Sequence, residues 1–160
     1  MVAACREFIK SPTSILTIWG TSGNAKTVAL MGTINELRKK QIESVYITAF
    51  DLVGFIREAF NSNGEVKTES AFTRLARFES VPVLAIDELD KVRPTEWVKE
   101  QYTDLIDRRY RGAMDGNLGT LFAMNSDPQS MDDHIYSRLK YGGNKIIMNN
   151  DADMRPYMKG

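Results

Sequence analysis

Apolar positions along this 160-residue chain switch repeatedly between two spacings. Short continuous runs, of the kind a buried strand needs, alternate with stretches in which apolar residues recur every three or four positions. The first run, Ile15-Leu16-Thr17-Ile18-Trp19, is closed by Gly20. Val28, Leu30, Met31, Ile34 and Leu37 then keep close to helical spacing over residues 26–40. Ser-Val-Tyr-Ile-Thr over 44–48 predicts a second strand, and Thr48-Ala49-Phe50-Asp51 has the pattern of a capping box opening a helix through Leu52, Phe55, Ile56 and Phe60. Asn-Ser-Asn-Gly at 61–64 is turn chemistry, and an amphipathic segment covers 68–78. An apolar run over 81–86 ends in Asp87-Glu88, and a helix is predicted over 96–111 with Trp97, Tyr102, Leu105, Ile106 and Tyr110 on one face. A further strand over 120–124 ends at Asn125. Asp127-Pro128 pairs an N-cap with a first-turn proline and predicts a helix from there toward Leu139, before a last strand over 145–148.

Strands separated by helices, with near-continuous apolar strand runs, predict an α/β domain with a parallel sheet covered on both faces. Ligands of such sheets bind beyond the carboxyl ends of the strands. Three polar clusters fall there: after Trp19, after Ile86 and after Met124.

Composition narrows the class. Hydrophobic residues make up 42% and charged residues 26%, which excludes a disordered tail, a collagen-like fibre and a coiled coil. Lys+Arg and Asp+Glu both number 21, so no global basic field attracts nucleic acid and such a contact needs a local patch. One cysteine, Cys5, forbids an internal disulfide framework, and Cys5 with the single histidine, His134, cannot build a protein zinc site. No apolar run reaches the length of a membrane span, and the stretch before Arg6 and Glu7 is too short for a signal peptide. The expectation is a reduced, cytosolic, single-domain protein with no membrane partner.

Gly20-Thr21-Ser22-Gly23-Asn24-Ala25-Lys26-Thr27 resembles the phosphate-binding pattern G-x-x-x-x-G-K-[ST]. Glycines let successive N–H groups turn into one concave anion site, and a helix starting there adds its positive end. Lys26 would reach the β- and γ-phosphates, and the Thr27 hydroxyl would ligate Mg²⁺. A glycine followed six residues later by Lys-[ST] arises by chance in roughly one chain in ten of this length. The preceding strand and following helix are what give it meaning. Ala25 stands where glycine usually precedes the lysine, so its methyl group would crowd a phosphate or strain a positive φ. The form G-x-x-G-x-A-K-[ST] nonetheless resembles the loops of MCM helicases and MoxR-type ATPases.

Asp87 and Glu88 are delivered to a strand end, Asp87 to hold the Mg²⁺ shell and Glu88 to orient and deprotonate a water. The structural alternative is that both cap the next turn with Asp90 and Lys91. Asn125 is placed to hydrogen-bond that water and a γ-phosphate, or is a turn residue before Asp127-Pro128. Arg138 and Arg155 are the arginine candidates for charge on a transferring phosphoryl group. Arg108-Arg109-Tyr110-Arg111 is either a contact for a phosphate backbone or a helix face neutralised by Asp104 and Asp107. The eight methionines, Trp19 and Trp97 read as core filling.

With these residues in place, the chain resembles the AAA+ ATPases, and within them the DnaC/DnaI-like helicase loaders and their relatives, the IstB transposition ATPases. The match runs from about Phe8 to Arg155. Its distinguishing pieces are Thr48-Ala49-Phe50-Asp51-Leu52, Glu96-Trp97 and Leu105-Ile106-Asp107-Arg108-Arg109-Tyr110 before a strand ending in asparagine. Ser137-Arg138-Leu139 is similar to the arginine-finger segment, acting on ATP of the neighbouring subunit, and Asp153-Met154-Arg155 to the sensor 2 segment. The resemblance implies a five-stranded P-loop core without a C-terminal lid over residues 15–156, between a lead-in (1–14) and a tail (157–160). It also implies assembly through the ATP site into an open spiral or ring. Single-stranded DNA would be held near residues 51–60 and 72–78, where Arg57, Arg74 and Arg77 are the available cations.

Loaders of this type carry an N-terminal domain that binds the replicative hexameric helicase, whereas only some fourteen residues precede the first strand here. The chain is thus expected to be the ATPase domain of a longer parent, or a shortened relative. The expected function is ATP binding and hydrolysis, with ATP/ADP and Mg²⁺, by the ATPase domain of a helicase loader in replication initiation. The alternatives are an IstB-like ATPase serving transposition and a non-hydrolysing, nucleotide-dependent scaffold.

Overall fold

The structure, a computed structural model, describes residues 1–60, 69–92 and 95–153, with the backbone alone at 69–71. The expected loop at 61–64, Arg155 and the tail at 157–160 lie outside the described residues. Five strands form one sheet: β1 (Ile15–Trp19), β2 (Ser44–Thr48), β3 (Val83–Asp87), β4 (Gly119–Met124) and β5 (Lys145–Met148). All ladders are parallel, in the spatial order β2-β3-β4-β1-β5. The helices are α1 (Val2–Lys10), α2 (Lys26–Lys39), α3 (Ala49–Ala59), α4 (Glu69–Ser80), α5 (Glu96–Met114) and α6 (Asp133–Lys140).

The central strands β3 and β4 are buried at every position, which is why their sequences are mostly apolar, with Asp87 and Thr120 the polar exceptions. Side-chain alternation divides the core in two. Ile15, Leu84, Ile86, Phe122 and Met124 pack under α3 to α6, and Leu16, Ile18, Val83, Ala85, Leu121 and Ala123 under α1 and α2. Residues 2–10, read from sequence as lead-in, form a helix whose Ala4, Cys5 and Phe8 are buried in the second of these cores.

Local capping explains the element starts. Thr48 Oγ1 accepts the Asp51 N–H at 3.1 Å and donates to the Asp51 carboxylate at 2.7 Å, the expected N-terminal signature of α3. Val81 does not open β3 as its sequence suggests. Its N–H donates to the Arg77 carbonyl at 2.9 Å, continuing the end of α4, and the strand begins at Val83. The helix expected from Asp127-Pro128 is likewise corrected. Asp127 caps only a short 3₁₀ turn, Pro128–Ser130, and α6 starts afresh with Asp132 accepting the His134 N–H at 3.0 Å. Both aspartates offer a cap, and only the second is followed by a full amphipathic turn carrying Ile135 and Leu139 into the core. Core filling describes Met124 but not Met31, Met114 and Met148, which are exposed. Among the described residues no helix is long and apolar enough to cross a membrane.

Candidate nucleotide site

The strand order puts β4 between β1 and β3, so the three polar clusters meet at the carboxyl end of the sheet. Ser22, Gly23, Asn24, Ala25, Lys26 and Thr27 line a cavity of about 240 Å³. Asp87, Glu88 and Asn125 close it from the ends of β3 and β4, and Lys91 joins them. Nine of the site residues expected from sequence therefore share one cavity. Gly20 and Thr21 contribute through their carbonyls.

The loop has the shape that its sequence demands. Gly20 and Gly23 hold φ of +142° and +86°. A Cβ at Gly20 would lie 2.1 Å from the Asn149 carbonyl oxygen, so both conformation and space require glycine. Ala25 takes φ +64° at the N-cap of α2, a left-handed conformation that costs a residue with a Cβ about 1 kcal/mol. The strain expected from this departure is therefore present. Lys26 is only 7% exposed, and its Nζ donates to the carbonyls of Gly20 and Thr21 at 2.7 Å each and to Asn24 Oδ1 at 2.9 Å. Burial pushes the ammonium pKa down, while Asp87 and Asp90 favour its charge.

Asp87 is buried at the last position of β3, on the face of the sheet that carries α2. Its Oδ1 accepts the Glu88 N–H at 2.8 Å and its Oδ2 accepts the Tyr46 hydroxyl at 2.9 Å. Desolvation, then the hydrogen bond to Asp87, push the Tyr46 phenol well above its ordinary value, so it stays a donor. Glu88 leaves the strand with φ +57° and its half-buried carboxylate pairs with Lys91. Asp90 accepts the backbone N–H groups of Asn125, at 3.1–3.2 Å, and of Ser126 at 2.7 Å, fixing the turn that presents Asn125. Burial acts to raise the Asp90 carboxyl, but the hydrogen bonds from Ser126 and Asn125 outweigh it and hold the pKa low. Asp87 and Glu88 thus take part in the turn with Asp90 and Lys91, as the capping alternative expects, and also line the cavity.

The oxygen donors fit a hard cation. Each Asp87 oxygen holds a single donor and keeps a lone pair, and Thr27, an exposed residue, lines the same cavity. Among the described residues, no group of three or more His, Cys, Asp and Glu side chains is placed to hold a metal ion. A cation here would take its remaining ligands from phosphate and water.

Arg138 lies elsewhere, on α6, where its Nε donates to Asp107 Oδ1 at 2.7 Å. The basic cluster of α5 resolves in favour of a neutralised helix. Arg108 pairs with Asp104 at 2.8 Å and Arg111 with Asp107 at 3.6 Å. Arg109 is fully buried, donating to the carbonyls of Val81 and Gly119 and to Thr120 Oγ1 at 3.1 Å. Burial pushes its pKa down to about 10. Sequence reasoning missed Tyr46, which lies among apolar strand residues with no local signal, and Asn149, which ends the apolar run of β5 as Asn125 ends that of β4.

No family model matches the chain, and no curated protein matches it. Solved structures do. The DnaC helicase loader superposes with TM-score 0.73 at 19% identity, over 91% of this chain and 86% of that one. DnaI gives TM-score 0.70 at 22% identity, over 95% of this chain and 81% of that one. The replication initiator DnaA bound to AMPPCP and single-stranded DNA gives TM-score 0.75 at 19% identity over 91% of this chain. The present chain spans 44% of that DnaA structure's length. Around the cavity at Lys26, this chain has the α/β fold that the DnaC, DnaI and DnaA structures share.

Proposed function

We propose that the chain is an ATP-binding and hydrolysing AAA+ domain of a helicase loader of the DnaC/DnaI kind, acting in the cytoplasm at replication initiation. The observation that carries this reading is the convergence of Lys26, Asp87, Glu88 and Asn125 on one loop-cradled cavity. Backbone N–H groups of the loop would hold the phosphates, with Lys26 exchanging its carbonyl partners for phosphate oxygens. Mg²⁺, held by Thr27 and Asp87, would supply charge neutralisation. Glu88 would orient and deprotonate the attacking water once released from Lys91, and Asn125 would position it. Arg138, half-buried on α6, would serve the neighbouring subunit, so that assembly proceeds through the ATP site. Arg155 is retained as the second arginine.

Contact with single-stranded DNA falls in this reading to α3 and α4. Arg57 and Arg74 are exposed there, and Phe50, 74% exposed, offers a face for base stacking. Arg77 is the weaker contributor, being paired with Glu43 at 2.9 Å. The AAA+ fold is common to replication and transposition ATPases, so the choice of partner is tested directly. Co-purification with a hexameric replicative helicase is the expected outcome, and co-purification with a transposase would assign the IstB-like function instead.

The site reading is tested with two substitutions. Lys26→Ala should abolish measurable ATP binding. Glu88→Gln should bind ATP normally while turnover falls about 100-fold or more. Normal turnover by Lys26→Ala would refute the site. ATP binding without turnover in the assembled wild-type protein would leave the scaffold function.

A further inference from the structure

Asn149 lies just past β5 and is 125 positions away from Asn24, yet the two are joined by reciprocal hydrogen bonds. Asn24 Nδ2 donates to the Asn149 carbonyl at 2.7 Å, and Asn149 Nδ2 donates to the Asn24 carbonyl at 2.8 Å. Both residues are buried, at 1% and 4% exposure. A carbonyl only accepts, so each side-chain amide must present its nitrogen. The Asn149 backbone is itself anchored, its N–H donating to the Trp19 carbonyl at 2.7 Å. Its carbonyl also packs against Gly20, so a single residue touches the loop at its first glycine and at Asn24.

The position of the second bond matters. The Asn24 carbonyl and the Ala25 N–H belong to one planar peptide and point in opposite directions. Holding that carbonyl against Asn149 therefore fixes where the Ala25 N–H is aimed. Ala25 also stands at φ +64°, which a glycine adopts freely and an alanine does not. Strained conformations persist where their surroundings over-determine them. We propose that Asn149 is a positioning residue for the nucleotide: by bonding the Asn24–Ala25 peptide it holds Ala25 in the left-handed conformation that the phosphate loop needs. The inference rests on the nucleotide reading above, and it explains how the loop functions with alanine before its lysine.

The test is ATP affinity by calorimetry on the full chain, for wild type, Asn149→Ala, Ala25→Gly and the double variant, with thermal melts to verify folding. Asn149→Ala should weaken ATP binding about tenfold. In the Ala25→Gly background the same change should cost about twofold or less, because glycine holds the conformation unaided. A general structural role would lower affinity equally in both backgrounds, and that result overturns the proposal. So does an unchanged affinity in Asn149→Ala. Asn149→Leu keeps the volume and removes the donor, so it should reproduce the alanine result and serves if that variant is unfolded. Wild-type protein that binds no ATP would instead overturn the nucleotide reading itself, before any variant is compared.

Discussion

Arg138 and Asp107 tie α6 to α5: the arginine Nε donates to Asp107 Oδ1 at 2.7 Å, and the guanidinium carbon lies 5.5 Å from the centroid of the Tyr110 ring. Neither Arg138 nor its two partners lines the cavity around Lys26. The guanidinium is thus held by Asp107 and Tyr110 on a part of the chain away from that cavity.

If Arg138 acts in trans, Arg138→Ala should bind ATP like wild type and lose turnover about 1,000-fold. Mixing it with Lys26→Ala, itself inactive, should restore activity, because an intact loop from one variant then meets an intact arginine from the other. Turnover measured across mixing ratios checks this. No recovery at any ratio would count against the trans role.

Asp90 provides a pH test. Its carboxyl pKa is held below the ordinary 3.8 despite the opposing effect of burial. A carboxyl depressed on folding stabilises above its unfolded value and loses that contribution as pH falls through the folded one. Asp90→Asn should therefore be less stable than wild type at neutral pH. The gap should narrow below about pH 4 as the wild-type carboxyl protonates. Urea midpoints across that range measure it, and a gap independent of pH would contradict the assignment.

Arg109 is a buried cation satisfied by carbonyls rather than by a carboxylate. Replacing it with Met leaves those oxygens unpaired, and unfolding free energy should fall by about 3 kcal/mol or more. Lysine keeps the charge but not the planar fork, so Arg109→Lys should recover only part of the loss. Denaturant unfolding gives both values, while ATP affinity of the folded fraction should be unchanged.

Thr17 gives the opposite sign. Its hydroxyl is fully buried in β1 and has no hydrogen-bond partner among the described residues. Thr17→Val keeps the shape and removes the unsatisfied group, so stability should rise by about 1 kcal/mol. A thermal melt is sufficient, and a lowered midpoint would mean the hydroxyl has a partner after all.

The alternation of strand and helix, the glycine turn before α2 and the acids at the end of β3 were legible because each depends on neighbours within a few positions. Apolar spacing reports burial, glycines report required φ values, and a polar residue ending an apolar run reports a strand's carboxyl end. Even the misplaced start of α6 was a choice between two genuine caps five residues apart. Long-range facts left no such trace. Arg109 looked like its exposed neighbours Arg108 and Arg111 until α4, β3 and β4 closed around it. Tyr46 reads as an ordinary strand residue, and only the β2–β3 register brings its hydroxyl to Asp87 across 41 positions.

By itself, the sequence determined the succession of elements and the chemistry offered at the strand ends, because periodicity and turn preference act locally. Tertiary structure alone decided the order β2-β3-β4-β1-β5, which gathers those ends at one cavity. It also decided that Asn149 bonds Asn24 in the glycine-bearing loop and that Arg138 stands apart from that loop. Pairing across such separations is selected by the burial of a whole core, which no local run of residues specifies.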